Sequence, residues 1–281
     1  MDGEFGGGYD ADFLASAVPL PQAVRERRLS ELPYTHFTVL HDRDRRLAAA
    51  TAVNIDGARL VDVPRGDDWH LDARIPAEEQ AGPALYRNND LDRGHLVRRR
   101  DPVWGARDAA ERANFDTFAY TNAAPQASGF NQSKLLWLGL EDHVLEHARA
   151  HSLRLTVFTG PVLADADPLY RGVQIPLAFW KIAIWSDAAG ALAAAGFLLE
   201  QGAELDGVDL QEAFHRAEAS EATPPLGPFR TFQVPIRDIE RLTQVSVGAV
   251  ADADSLALAG AAPEPDAQWV RLESADDVVL E

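Results

Sequence analysis

The sequence predicts a mixed α+β fold with strands both before and after one central helix. Three observations predict it. Short apolar runs of strand length occur in both halves, a helical stripe covers residues 135–150, and 46% of the 281 residues are hydrophobic against 25% charged. That composition is typical of a folded protein, and the length is enough for one large domain or two small ones.

The N-terminal half is expected to hold strands after an irregular arm. Residues 1–33 contain Gly6-Gly7-Gly8 and then Pro19 and Pro21, which favour irregular structure. Strands are predicted over 36–40, 47–55 and 59–63. The last two flank Asp56-Gly57, a pair that suits a tight hairpin turn. Residues 64–92 are polar and turn-rich, and a short strand is expected at 95–97.

The C-terminal half is expected to begin with the helix and continue with strands. Leu135, Leu138 and Leu145 share one face of the predicted helix. Strands are predicted over 155–159, 179–185, 191–199 and 229–234, with a short helix over 236–243. We therefore divide the chain into an arm (1–33), a domain (34–259) and a tail rich in proline and aspartate (260–281).

Charge is distributed unevenly along the chain. The net charge is −18, and the sequence contains no cysteine, which excludes disulfides and thiolate metal sites. A field this negative repels polyanions. Residues 201–281 carry 16 acidic and five basic groups, whereas residues 87–112 carry seven arginines against five acids. The sequence therefore predicts a local cationic patch on an acidic body.

Three short segments hold the residue types that carry chemistry. They are Asp92-Arg93-Gly94-His95, then Asn122-Ala-Ala-Pro-Gln126, then Asn131-Gln132 followed by Trp137-Leu-Gly-Leu-Glu141. In this order and spacing they resemble the DNA/RNA non-specific endonuclease family, the ββα-metal or His-Me finger nucleases. The resemblance covers about residues 36–245. It implies a central mixed or antiparallel sheet flanked by helices, and hydrolysis of phosphodiester bonds in DNA and RNA.

The resemblance also implies roles for individual residues. His95 matches the family's general base, a role that suits imidazole near neutral pH. Asn131 matches the metal-binding asparagine. Glu141 matches a carboxylate that acts on the metal through water. Asn122 matches a second asparagine that positions the His95 loop or the phosphate. The implied cofactor is Mg²⁺, which prefers oxygen ligands, with Mn²⁺ or another divalent cation as a substitute.

Arginines are the expected phosphate contacts. Arg93 belongs to the tetrad and can hold phosphate by its bidentate fork. Arg98 and Arg99 are further candidates, with an ion-paired solvated face as the alternative. A family arginine that precedes the tetrad has no clean counterpart, and both Arg65 and Arg87 are candidates. Another family arginine falls at Leu145, so that contact is expected to be missing.

Several alternatives remain open on the sequence. Asn131 and Glu141 are ten positions apart where the shortest family members have eight, and two extra residues rotate a helical side chain by about 200°. Extra residues in a loop or bulge would restore convergence. The alternative functions are a catalytically weak nucleic-acid-binding protein on the same fold, and a phosphoesterase acting on small esters. The repeated histidines His143, His147 and His151 also have a spacing compatible with a transition metal.

Partners and location are constrained only weakly. DNA and RNA are the expected partners, and relatives in the family are often homodimers. No run of about 18 apolar residues is present to span a membrane, and the N-terminus lacks the basic and apolar regions of a Sec signal. We therefore expect a cytoplasmic or non-classically exported protein with no membrane partner.

Overall fold

The computed structural model describes residues 7–127, 153–187, 189–202, 207–220, 222, 224, 226, 230–258, 269–273 and 277–278. Its strands are β1 Gln22–Ala23, β2 Leu29–Tyr34, β3 Phe37–Asp42, β4 Leu47–Asp56, β5 Leu91–His95, β6 Ala123–Ala127, β7 Arg154–Pro161, β8 Leu169–Tyr170, β9 Val173–Gln174, β10 Ala178–Ser186, β11 Leu192–Glu200, β12 Arg230–Val234, β13 Val245–Ser246 and β14 Val270–Arg271. Its α-helices are α1 Arg107–Asp116, α2 Gly207–Ala219, α3 Ile236–Thr243 and α4 Ser255–Leu258.

An eight-stranded antiparallel sheet forms the centre of the fold. Its strand order is β14-β12-β11-β10-β7-β4-β3-β2. The longest pairing joins β10 to β11, from Ala178 opposite Glu200 to Ser186 opposite Leu192. The mixed α+β class expected from the sequence is confirmed, and the large sheet is antiparallel.

Both faces of this sheet are covered by packed side chains. Alternation along β10 places Ile182 and Ile184 on one face and Ala183 on the other. The face with the isoleucines packs against Ile236 and Ile239 at the start of α3. The opposite face packs against Leu96, Val97, Ala119 and Ala124, which flank the Asp-Arg-Gly-His tetrad. The tetrad therefore lies against the buried apolar layer on this face of the sheet.

Strands β5 and β6 form a separate two-stranded antiparallel ribbon. Its register runs from Leu91 opposite Ala127 to His95 opposite Ala123. The ribbon brings the first two chemical segments of the sequence side by side. We refer to it below as the tetrad ribbon.

Some local predictions were wrong. Residues 59–63 are not a strand, because Gly57–Arg59 forms a 3₁₀ turn and Leu60 makes only an isolated bridge to Trp104. The Asp56-Gly57 hairpin is absent because β4 pairs with β3 and β7 instead. The segment predicted as irregular contains β1 and β2, and the short strand predicted at 95–97 ends at His95.

Other predictions were right or lie outside the described residues. The strands predicted near 36–40, 47–55, 155–159, 179–185 and 191–199 and the helix at 236–243 are all present. The strand predicted from 229 is described from Arg230. The helix predicted over 135–150 and most of the tail from 260 lie outside the described residues. Within the described ranges, no helix combines the length and apolar character needed to cross a membrane.

Candidate active site

The register of the tetrad ribbon places each tetrad residue opposite a residue of the second segment. Gly94 lies opposite Ala124 and Arg93 opposite Pro125. A Cβ atom at Gly94 would overlap the side chain of Gln126, which lies across this position. The glycine of the tetrad and the glutamine that follows Pro125 therefore fit each other sterically.

The buried Gln201 fastens the tetrad ribbon to the large sheet. It follows β11 directly and its side chain is fully buried. Its Nε2 donates to the carbonyls of Pro125 at 3.1 Å and Pro176 at 2.8 Å. Its Oε1 accepts from the backbone N–H of Ala127 at 3.0 Å. This one side chain thus satisfies three backbone groups at the base of the ribbon.

Asn122 holds the backbone that follows His95. Its side chain is fully buried. Oδ1 accepts from the Val97 N–H at 2.8 Å, while Nδ2 donates to the carbonyls of Val97 at 2.9 Å and Thr117 at 3.0 Å. The Asn122 carbonyl also accepts from the Leu96 N–H at 2.9 Å. Both amide hydrogens are used, so the geometry fits positioning of the His95 loop and not contact with phosphate.

The His95 ring lies among aromatic side chains. Its centroid is 4.8 Å from that of Trp69 and 5.2 Å from that of Phe118, the latter edge-on. Nε2 is shielded from solvent and has no hydrogen-bond partner among the described residues. Burial, and then repulsion from Arg65, Arg99 and Arg93, lowers the pKa of His95 to about 3. The imidazole is therefore neutral near pH 7, the form that can accept a proton.

A cluster of arginines surrounds this ring. We call Arg65, Arg93 and Arg99 the basic cluster, because these three charges act on His95. Arg99 donates to the carbonyl of Val63 at 3.1 Å and to Oδ1 of Asn114 at 2.9 Å. Burial, and then repulsion from Arg65, Arg100 and Arg98, lowers the pKa of Arg99. Like charges held together in this way favour an anion between them.

The remaining predicted arginines have different surroundings. The Arg93 guanidinium lies 5.3 Å from the centre of the Trp69 ring, a cation–π contact. Arg98 is half-buried in the turn that follows the tetrad ribbon. Arg87 is exposed, its carbonyl accepts a hydrogen bond from Arg171, and its charge is not among those that shift His95. Of the two candidates for the arginine before the tetrad, the structure places Arg65 near His95.

A buried polar network connects the edge strand β2 to the site. The hydroxyl of Tyr34 donates to Asp72 and lies 2.6 Å from Oγ1 of Thr121. Arg74 forms an ion pair with Asp72 at 2.6 Å and donates to the Pro33 carbonyl at 2.7 Å. Thr121 precedes Asn122, so this network fixes the loop over 64–90 against the backbone that holds His95.

The predicted metal-holding residues lie outside the described part of the chain. Asn131 and Glu141 both fall in the gap at 128–152, as do His143, His147 and His151. Within the described ranges, no group of three or more His, Asp or Glu side chains is placed to hold a metal ion. The described wall of the site is basic and aromatic, which suits contact with a phosphate and proton transfer at His95.

Sequence analysis missed Trp69 as a site residue. It lies in the polar segment 64–92, 26 positions before His95, and no local pattern connects it to the tetrad. Its ring also packs on Phe118 at 5.4 Å and Tyr120 at 5.7 Å. A single tryptophan within an otherwise polar, turn-rich segment was the one available signal.

Comparison with known proteins places these features in context. Residues 20–254 match the family model described as DNA/RNA non-specific endonuclease. The chain is 39% identical over 258 residues to the uncharacterized protein y4fB of Sinorhizobium fredii, covering 83% of this chain and 37% of that protein. It is 28% identical over 186 residues to mitochondrial endonuclease G of Bos taurus, covering 62% of this chain and 53% of that protein.

A solved structure shows the same fold at low identity. The crystal structure of the EndoG/EndoGI complex contains a chain that superposes with a TM-score of 0.55 at 19% identity, covering 79% of this chain and 86% of that chain. This likeness concerns the fold alone. The chain spans between about a third and about half of the length of the curated relatives it matches.

Proposed function

Because the chain belongs to the DNA/RNA non-specific endonuclease family and has the ββα-metal nuclease fold, we propose that it hydrolyses phosphodiester bonds in DNA and RNA with Mg²⁺. The observation that carries the proposal is the position of His95 Nε2 inside the basic cluster, where it has no hydrogen-bond partner in the part of the chain that the structure describes. A base in its proton-accepting form beside fixed positive charge is the arrangement that phosphodiester hydrolysis needs.

The proposed chemistry at His95 is a single proton transfer. Water attacks the phosphorus in line with the leaving oxygen, and its proton passes to Nε2 of His95 as the new P–O bond forms. The bond to the leaving oxygen breaks as the new bond forms, and its electron pair stays on that oxygen, which takes a proton from solvent water. His95 then gives its proton to solvent and is neutral again. The hydrogen bonds of Asn122 fix the backbone after His95, so the ring stays aligned without rearrangement during the reaction.

The basic cluster is proposed to bind the phosphate. Arg93 presents an exposed guanidinium at the tetrad, and Arg65 and Arg99 lie close enough to act on the same imidazole. Arg98 would add a further contact. These groups read charge and not base identity, so cleavage would show little sequence preference and would extend to both DNA and RNA. Arg87 has the weakest support, because its charge does not act on His95.

Asn131 is proposed to hold the metal directly, and Glu141 to hold it through bound water. Their carboxamide and carboxylate oxygens are donors of the kind that Mg²⁺ prefers. When bound, the ion would stabilise negative charge on the phosphate and on the leaving oxygen. Asn131→Ala and Glu141→Gln should weaken Mn²⁺ binding measured by calorimetry, and normal binding by both variants would overturn this assignment.

Cleavage assays test the proposed function directly. The purified protein should degrade plasmid DNA and a structured RNA with Mg²⁺, and excess chelator should stop both reactions. His95→Ala should lower the rate at least 100-fold, as expected for loss of a general base. His215→Ala is the matched control, because His215 is exposed on α2 and is not among the groups that contact His95 or shift its pKa.

The same assays separate the alternatives. Binding of nucleic acid without any turnover by the wild-type protein would favour the catalytically weak binding protein. Turnover of a chromogenic diester with no cleavage of DNA or RNA would favour a phosphoesterase for small esters. A homodimer is also proposed, and light scattering coupled to gel filtration tests it.

A further inference from the structure

An aromatic side chain lies exposed on helix α1, whose Asn114 accepts a hydrogen bond from Arg99 of the basic cluster. Phe115 is 43% exposed, and it is the only aromatic among the large apolar side chains that are exposed within the described ranges. Helix α1 buries Ala110, Ala113 and Asn114 on one face. Phe115 stands on the opposite face, with the charged residues Glu111 and Arg112. Packing of the core does not account for a phenyl ring at this position.

The ring is held in a defined orientation. Phe115 stacks on the imidazole of His70, with centroids 4.3 Å apart and an angle of 8° between the planes. His70 is itself fixed, because its Nδ1 donates to the Asp68 carbonyl at 2.9 Å and its backbone bonds to Phe118 and Tyr120. An exposed ring that is already ordered loses little entropy when another flat group stacks on it.

Phe115 lies next to the groups that surround His95. His70 follows Trp69, whose ring contacts His95, and Phe118 contacts both rings. Asn114, the neighbour of Phe115, accepts a hydrogen bond from Arg99 of the basic cluster. The backbone N–H of Phe118 donates to the carbonyl of Phe115 at 3.0 Å. Phe115 is therefore joined by its backbone to Phe118, whose ring is a direct neighbour of the His95 imidazole.

We propose that Phe115, supported by His70, is a stacking platform for one unpaired base of a single-stranded substrate. The proposal rests on the proposed function and adds to it a preference for single-stranded substrates. The basic cluster supplies charge for the backbone, and positive charge beside an aromatic platform is the common arrangement in proteins that bind single strands. Around Phe115 itself both signs of charge are present, in Glu111 and Arg112, so an uncharged base suits this position better than a phosphate.

The platform predicts a difference between substrates. Every base has a flat π-face, so stacking requires no particular sequence and is compatible with non-specific cleavage. In a duplex the bases are paired and stacked on each other, and they cannot reach Phe115 without unstacking. Phe115 should therefore matter for single strands and little for blunt duplexes.

Binding measurements on a cleavage-deficient background test the platform. With His95→Ala protein and Mg²⁺, fluorescence anisotropy would measure the Kd for a labelled thymidine decamer and for a decamer of abasic residues with the same backbone. Adding Phe115→Ala should weaken binding of the thymidine decamer by about 5- to 100-fold, the usual effect of removing one base–aromatic stack. Binding of the abasic decamer should stay within twofold.

Two further variants separate stacking from general damage. Phe115→Tyr keeps an aromatic face and should bind the thymidine decamer as the parent does. Leu242→Ala is the matched control, because Leu242 is also 43% exposed but lies on α3. Equal loss on both decamers, or no loss on the thymidine decamer, would overturn the platform.

The outcome for the proposed function is independent of this result. If wild-type protein cleaves DNA and RNA while Phe115→Ala behaves like the parent on every substrate, only the platform fails. If the wild-type protein neither binds nor cleaves any nucleic acid, the proposed function fails and the platform with it.

Discussion

Replacing Asn122 by alanine should damage both stability and catalysis, and the size of the first effect follows from its contacts. The substitution leaves the Val97 N–H and the carbonyls of Val97 and Thr117 without their partners. Each buried group left unsatisfied costs about 1–3 kcal/mol. Because such effects overlap, we expect the free energy of unfolding to fall by about 3–5 kcal/mol. Domains of this kind have about 5–15 kcal/mol in total, so a loss of this size takes up a large share of the stability, and the urea transition of the variant should move to a much lower concentration.

The effect on catalysis separates a positioning role from a structural one. A shift of His95 by about 1 Å would lower the rate roughly 100-fold. Asn54→Ala is the matched control, since Asn54 is also buried and makes three side-chain hydrogen bonds, to Asp10 and Thr156, on another part of the sheet. Urea unfolding gives the stability of each variant, and initial rates of plasmid cleavage are compared where both are folded. Rates for Asn122→Ala within twofold of those for Asn54→Ala would refute the reasoning.

Three other perturbations test the site at different points. Because the pKa of His95 is lowered to about 3 and the base must be neutral, the acid limb of kcat/KM should lie well below pH 6.5. Arg65→Gln removes a positive charge that repels protonated His95, so the acid limb should move to higher pH. A shift smaller than 0.2 pH units, equivalent to about 0.3 kcal/mol, would contradict the assignment of Arg65 to the basic cluster. Gly94→Ala should cost about 1–3 kcal/mol through its clash with Gln126, and Gln126→Ala in the same chain should recover most of that loss in thermal unfolding. Gln201→Ala removes three hydrogen bonds to backbone groups and should raise the amide exchange rate across the tetrad ribbon, which hydrogen-exchange mass spectrometry measures. Unchanged exchange there would show that the ribbon is held by other contacts.

The parts of the fold that the sequence predicts are those where burial dictates a simple period. Strands β7, β10 and β11 are nearly continuous apolar runs because the sheet is covered on both faces. Helix α1 was missed because it buries alanine, asparagine and aspartate and so lacks an apolar stripe. The prediction of a hairpin at Asp56-Gly57 was wrong. The weak preference of Asp-Gly for a tight turn is outweighed by the pairing of β4 with β7, about 100 positions away.

The site residues also fall into two groups, those that belong to a local sequence motif and those that do not. His95, Arg93 and Asn122 are predicted as site residues because each stands in a short motif. The tetrad ribbon brings those motifs together, and the roles of the three residues remain predictions. Trp69 could not be predicted, and Arg65 could not be chosen over Arg87, because the loop that carries Trp69 and Arg65 is held at the site by distant polar contacts and not by any local pattern. The assignments of Asn131 and Glu141 remain predictions.

The polar network around Tyr34 limits how far the chain can be shortened from its N-terminus. A boundary at residue 34, where the domain was expected to begin, keeps Tyr34 but deletes the strand that carries it and the Pro33 carbonyl to which Arg74 donates. Asp72 would then lose a rigid partner on one side, and the loop bearing Trp69 would lose one of the contacts that hold it, while the backbone bonds of His70 to Phe118 and Tyr120 remain. Truncation at residue 34, far from His95 in the sequence, should therefore lower catalysis by loosening the loop that carries Trp69.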